Sequence, residues 1–146
     1  MAKIEPLTIS DVEYLSHRLA KRMFEWSEPI PDFGTRFPNK LEGCLLAPFQ
    51  TFSRRTLYKG LLGKAAILFY LMIKNHPFQN GNKRIAMTTL FVFLHQNGKW
   101  LSVDNQTLYN FAKWVASSDP TVKDATVRAI EDFLKKHMVT LEESKK

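Results

Sequence analysis

One stretch of the chain, His76-Pro77-Phe78-Gln79-Asn80-Gly81-Asn82-Lys83-Arg84, gathers residue types that can do chemistry on an anion. A histidine, such as stands at position 76, can take a proton from a hydroxyl. Pro77 cannot continue a preceding helix, because it lacks an N–H and its ring collides with the turn before it. Gly81 and Asn82 both tolerate positive φ, which lets successive backbone N–H groups point into one concavity. A helix starting here adds its own unpaired N–H groups and the positive end of its dipole. Lys83 and Arg84 place two fixed cations on that same end. A helix N-terminus ordinarily favours acidic residues, so this pair is a local conflict that a bound anion would relieve. A phosphate chain suits a nest of N–H groups with Lys and Arg best. A base beside a phosphate cradle suggests transfer of a phosphoryl or nucleotidyl group to a hydroxyl, a reaction carried by positioning and charge stabilisation. Phe78 reads as an apolar anchor for the loop. Taken singly, each residue has a blander meaning: a structural histidine, a solvated Lys-Arg pair, a Gly-Asn turn. Their conjunction within residues 76–84 shifts the balance.

The flanking elements would position this loop. Residues 61–75 are apolar nearly all round, with only Lys64 and Lys74 charged, the pattern of a buried pillar helix. A second apolar helix is expected over about residues 83–96, stopped by Asn97-Gly98. Upstream, Ser10 and Glu13 have capping-box spacing, and Val12, Leu15, Leu19, Met23 and Trp26 recur at helical spacing. Pro29, Pro31, Gly34 and Pro38 mark a loop. Asn39 with Glu42 suggests a further helix start, ended by Pro48. Residues 49–58 read as either a loop or a small hairpin. Residues 100–103 form a short extended connection. Asp104 caps a helix carrying Leu108, Phe111 and Val115, and Pro120 separates it from a last helix with Val122, Ala129, Ile130, Phe133 and Leu134. The tail, residues 140–146, is expected to fray. The fold class is therefore all-α, with central buried helices and at most one small hairpin, in a single domain over residues 1–146.

Composition agrees with a packed domain: 45% of the 146 residues are hydrophobic and 12% aromatic. Lys and Arg exceed Asp and Glu by 21 − 14 = +7. That balance favours acidic partners but serves solubility equally well, because the basic residues are dispersed. Cys44 is the sole cysteine, so no intrachain disulfide can form, which suits a reducing compartment. The N-terminus lacks the apolar stretch of a secretory signal. The longest apolar runs, residues 65–73 and 85–94, fall short of the ~20 residues that span a bilayer. A cytoplasmic protein without membrane or nucleic-acid partners is expected.

The central motif resembles the signature of the Fic/Doc family, HxFx[D/E][G/A]N[G/K][R/K]. Six defined positions match, which chance gives at roughly 10⁻⁸ per starting point if each match is about one in twenty. The resemblance extends over residues 39–120, through the flanking apolar helices, Lys40-Leu41-Glu42 and Ala47-Pro48. Members that transfer AMP usually carry Gly at the position of Lys83 and a second Arg at the position of Met87. Lys83 without that Arg is similar to the Doc-type branch.

This resemblance implies a compact helical domain acting as the toxin of a toxin–antitoxin pair. Its activity would move the γ-phosphate of ATP, or another nucleoside triphosphate, to a hydroxyl of a target protein such as a translation factor. By the same resemblance His76 is the base, Gly81 and Asn82 form the anion nest, and Lys83 and Arg84 hold phosphates. Asn80 stands where the family has an acidic residue for Mg²⁺, and a neutral amide binds that ion less well than a carboxylate. No [S/T]xxxE[G/N] inhibitory segment is present: the nearest candidate, Glu42-Gly43, has Pro38 four residues before Glu42. That points to a separate antitoxin, with residues 49–58, including Arg54 and Arg55, as a contact region. Two other readings stay open, nucleotidyl (AMP) transfer by the same fold and a non-enzymatic basic binding module.

Overall fold

Two apolar helices set the core of the computed structural model, which describes residues 3–23 and 28–145. Helix α4 (Gly60–Lys74) buries every residue from Gly63 to Tyr70, then Met72 and Ile73. Helix α5 (Asn82–Gln96) buries Ile85, Ala86, Met87, Leu90, Phe91, Phe93 and Leu94 and packs along α4. Elements that cover both sides of such a pair bury its apolar surface all round, as the lack of a polar face demands. On one side lie α6 (Asn105–Ser117) and α7 (Lys123–His137), contributing Leu108, Val115, Ile130 and Leu134 to the core. On the other, α1 (Ile9–Asp11) runs through a wide π turn (Val12–Ser16) into α2 (His17–Arg22), which packs on α5. Helix α3 (Pro38–Leu46) and a 3₁₀ turn (Ala47–Phe49) lie against α4.

The two lysines in the pillar are bonded rather than stranded. Lys64 is 8% exposed and donates to the Tyr58 carbonyl at 2.7 Å. Lys74 donates to the Ala116 and Ser118 carbonyls, capping the negative end of α6.

The chain departs from the sequence reading at several places. The first helix is capped two residues earlier than Ser10: Thr8 is the cap and forms a capping box with Asp11. Trp26 lies outside the described residues. Asn39 does not cap α3, which begins on Pro38 with its φ already set for the first helical position. Residues 49–58 resolve as a hairpin, β1 (Thr51–Phe52) with β2 (Arg55–Thr56). Ser53 and Arg54 both take positive φ at its tip, the geometry whose twist matches the strands. A second antiparallel pair, β3 (Lys99–Leu101) with β4 (Met138–Thr140), was not expected. Its strands are three residues each and far apart in sequence, so no turn signal announces them. Residues after β4, expected to fray, form a single helical turn, α8 (Leu141–Ser144), with a Thr140–Glu143 capping box. The all-α class stands, with two tiny strand pairs appended.

This packing predicts a sharp contrast between two phenylalanines. Phe69 is fully buried on α4 and Phe52 is 72% exposed on the hairpin. Phe69→Ala should cost about 3–5 kcal/mol in urea unfolding, and Phe52→Ala no more than about 0.5 kcal/mol.

Candidate active site

The motif loop connects α4 to α5 and is pinned at both ends. Phe78 is buried, its ring near those of His17 (5.9 Å) and Phe33 (6.0 Å). It is the apolar anchor that the sequence suggests. The Pro77 carbonyl accepts from Phe37 N–H at 2.8 Å, tying the loop to the start of α3. Asn82, 7% exposed, closes the loop on itself. Its Oδ1 accepts from Phe78 N–H at 3.0 Å and its Nδ2 donates to the Phe78 carbonyl at 2.9 Å. These two bonds fix the amide's orientation, so a donor faces His76 Nδ1 at 3.4 Å. That contact is long and therefore weak. While it is made, the neutral ring carries its proton on Nε2. Acting as a base requires the contact to break, which costs little at an exposed ring.

His76 itself is exposed and holds φ at +50°. Few residues other than glycine occupy this region, and such strain clusters where function over-determines the backbone. The sequence suggested positive φ at Gly81 and Asn82. Gly81 has it, at +71°, but Asn82 is already the first residue of α5 and its side chain serves the loop. The left-handed pair is therefore Gly81 and His76. The nest is also smaller than expected, because Gly81 N–H is taken by Asn80 Oδ1 at 2.8 Å. The first turn of an α-helix has N–H groups without intrahelical acceptors, which makes the start of α5 the place where an anion would meet backbone donors.

The two cations diverge. Lys83 stays at the mouth, its Nζ 3.5 Å from Glu28 Oε1, with both side chains about a quarter exposed (23% and 28%). Arg84, expected to hold a phosphate, is instead 5% exposed and turned toward the end of α2. Its Nη1 donates to the Glu28 carbonyl at 2.8 Å, its Nε and Nη2 both donate to the Met23 carbonyl, and Nη2 also donates to the Ala20 carbonyl. Carbonyls at a helix C-terminus lack intrahelical partners and sit at the negative dipole end, so a guanidinium fork satisfies them well. The charge conflict at the start of α5 is thus largely relieved within the chain.

Residues 28–31 cross directly over the loop, which nothing in the sequence indicated. A Cβ added at Gly81 would lie 2.7 Å from Ile30 Cδ1 and 2.8 Å from the Pro29 carbonyl oxygen. His17 Nε2 lies 2.7 Å from the Pro31 carbonyl, so that nitrogen carries the proton and donates. Burial holds the His17 pKa below the ordinary histidine value, against the raising effect of that bond. Among the described residues no group of three or more His, Cys, Asp or Glu is placed to hold a metal. Asn80 Oδ1 already accepts one N–H, so it fits Mg²⁺ only as a helper to phosphate oxygens. Cys44 is buried, with its pKa pushed up to about 12 by desolvation, and is chemically quiet. Gly81→Ala should lower stability by about 2–3 kcal/mol, from positive φ and the clash with residues 29 and 30. Thermal unfolding checks this.

Comparison with known proteins agrees with the geometry. The family model described as Fic/DOC family matches residues 6–94, which includes the whole motif, all of α4 and α5 up to Leu94. Toxin Doc of Mycolicibacterium smegmatis (strain ATCC 700084 / mc(2)155) is 36% identical over 64 residues, 44% of this chain and 49% of that protein. The chain thus spans about half the length of the curated relative it matches. No solved structure matches it. No helix among the described residues is long and apolar enough to cross a membrane. With its motif and more than half its length matched, the chain belongs to the Fic/DOC family.

Proposed function

We propose that the chain is a Doc-like toxin that transfers the γ-phosphate of ATP, or of another nucleoside triphosphate, to a hydroxyl of a target protein. The observation that carries this is an exposed histidine in strained backbone, one short loop away from a lysine at a helix N-terminus. His76 takes the proton of the target hydroxyl, whose oxygen forms a bond to the γ-phosphorus. The bond from that phosphorus to the bridging oxygen breaks, and the nucleoside diphosphate leaves. Lys83 and the first-turn N–H groups of α5 hold the phosphates and spread their charge. Arg84 acts mainly as a positioning residue, locking α2 and residues 28–31 against the cradle. Mg²⁺, when bound, neutralises phosphate charge, and Asn80 lends it an amide oxygen.

Lys83 and the absence of an arginine at Met87 favour phosphoryl over nucleotidyl transfer, on the resemblance to the Doc-type branch. The name of the relative supports a toxin, and the resemblance to the Doc-type branch favours restraint by a separate antitoxin. We place the protein in the cytoplasm, with a translation factor as the kind of target.

Growth of bacteria expressing wild type or His76→Ala at matched levels tests the core of this reading. Wild type alone should arrest growth, and its turnover should exceed the variant's by about 10²–10⁴-fold. Arrest by both chains would remove His76 from the mechanism. Label from γ-labelled ATP should appear on the target; label from the α position would instead mean AMP transfer. Asn80→Asp should raise the divalent-metal dependence of turnover, because a carboxylate holds Mg²⁺ better than an amide. Unchanged metal dependence would remove Asn80 from the metal's surroundings.

A further inference from the structure

A groove lies between the second half of α5 and the π turn that leads into α2, beginning about two turns along α5 from Arg84. Its apolar floor comes from Tyr14, Leu15, Leu19, Phe91, Val92 and Trp100. Its volume is about 450 Å³, within the range of small-molecule sites, roughly 300–1,000 Å³. Helical spacing puts Leu15 and Leu19 in a core-facing stripe, but the π turn over Val12–Ser16 breaks that register. Tyr14 is left 52% and Leu15 45% exposed, both facing the groove. Such turns are rare and concentrate at functional sites, and large apolar groups exposed together mark binding surfaces. Phe91 and Trp100 stack at 4.9 Å, and His95 meets the indole nearly at right angles at 6.2 Å, so part of the floor is an ordered aromatic surface. Arg18 and Arg22 stand exposed at the rim, one turn apart on α2. The Arg18 guanidinium sits over the Tyr14 ring, 5.0 Å from its centre. No acidic residue is among the described residues that line the groove, and among the described residues neither arginine pairs with a carboxylate. Like charges at this spacing repel each other.

We propose that this groove is a second binding site, for a small amphipathic anion whose apolar body lies on the aromatic floor and whose carboxylate or phosphate head sits between Arg18 and Arg22. A guanidinium fork meets either head with parallel N–H bonds. Gln96, exposed beside His95, offers a further amide donor. The charge selects the occupant. An apolar floor alone accepts any greasy body, whereas two arginines with no carboxylate against them favour an anionic head and disfavour a cationic one. The site uses none of residues 76–84, so it stands whether or not the motif binds a nucleotide.

Isothermal titration of the full chain with decanoate and 1-naphthoate, against decylammonium of matched length, provides the test. Both anions should saturate a single site, at least about tenfold more tightly than decylammonium at low salt. Inorganic phosphate, a head without a body, should bind far more weakly than either. Arg18→Gln and Arg22→Gln together should weaken decanoate by about three- to tenfold and erase its preference over decylammonium. Leu15→Glu, which sets a carboxylate in the floor, should weaken decanoate by more than about tenfold. All three positions are exposed, so unfolding curves of these variants should overlay the parent. Equal affinity for decanoate and decylammonium would overturn the proposal and leave an unselective apolar patch. Binding that none of these changes alters would also overturn it, by putting the anion elsewhere. So would the absence of saturable binding by both anions. A parent that sediments as a dimer, and that Leu15→Glu dissociates, would overturn it in favour of a second copy of the chain as the occupant.

Discussion

The geometry of the candidate site depends on the buried guanidinium of Arg84. A cation at 5% exposure is costly unless its donors are met, and this one spends them on the Ala20, Met23 and Glu28 carbonyls. Two of those carbonyls end α2, and the third opens residues 28–31. One side chain on the first turn of α5 therefore holds both the helix that packs on α5 and the strap that crosses its N-terminus. Thr88, one turn further along, adds a bond to the Ser16 carbonyl inside the π turn, at 2.8 Å. Chain segments more than fifty residues apart are registered on a single helix face, and the motif loop inherits its rigidity from them.

The loop shows how that rigidity is used. His76 needs φ at +50°, which the isolated chain would rarely adopt. Three things oppose its relaxation. Pro77 bars continuation of α4, Phe78 is locked in the core, and Asn82 grips both backbone polar groups of Phe78. The strain stays at the residue whose ring must face outward. Asn82 is thus less an anion ligand than the clasp that makes the histidine's position reproducible.

The pillar helices, the Asn97-Gly98 stop, the Asp104 cap and the Phe78 anchor were legible in the sequence, because each follows from local spacing or a single residue's stereochemistry. The motif was legible for the same reason, being contiguous. What escaped depends on contacts between distant segments. The β3–β4 pair joins three-residue strands with no turn between them. Arg84's partners lie more than fifty residues upstream, so a cation beside another cation read as a phosphate ligand. Glu28 sits in a proline-marked loop with no periodicity, and nothing local ties it to Lys83. Ser10 and Asn39 failed as caps for a subtler reason: Thr8 and Pro38 offer equally good starts nearby, and packing decided between them.

Two adjacent cations at a helix N-terminus pose a difficulty, since they repel each other and the positive end of the dipole. This chain meets it in two ways. Arg84 is drawn off permanently to the opposite dipole end of another helix, where its charge is welcome. Lys83 lies 3.5 Å from the Glu28 carboxylate, which remains partly in water, a pair of the kind that contributes little to stability. The first arrangement contributes to the fold, and the second leaves a charge near the surface. Had both cations been bonded as Arg84 is, no charge would remain for a phosphate. Had neither been, the start of α5 would be unstable in the absence of ligand. The division between two adjacent residues makes this helix end a structural joint that still presents a partly exposed charge.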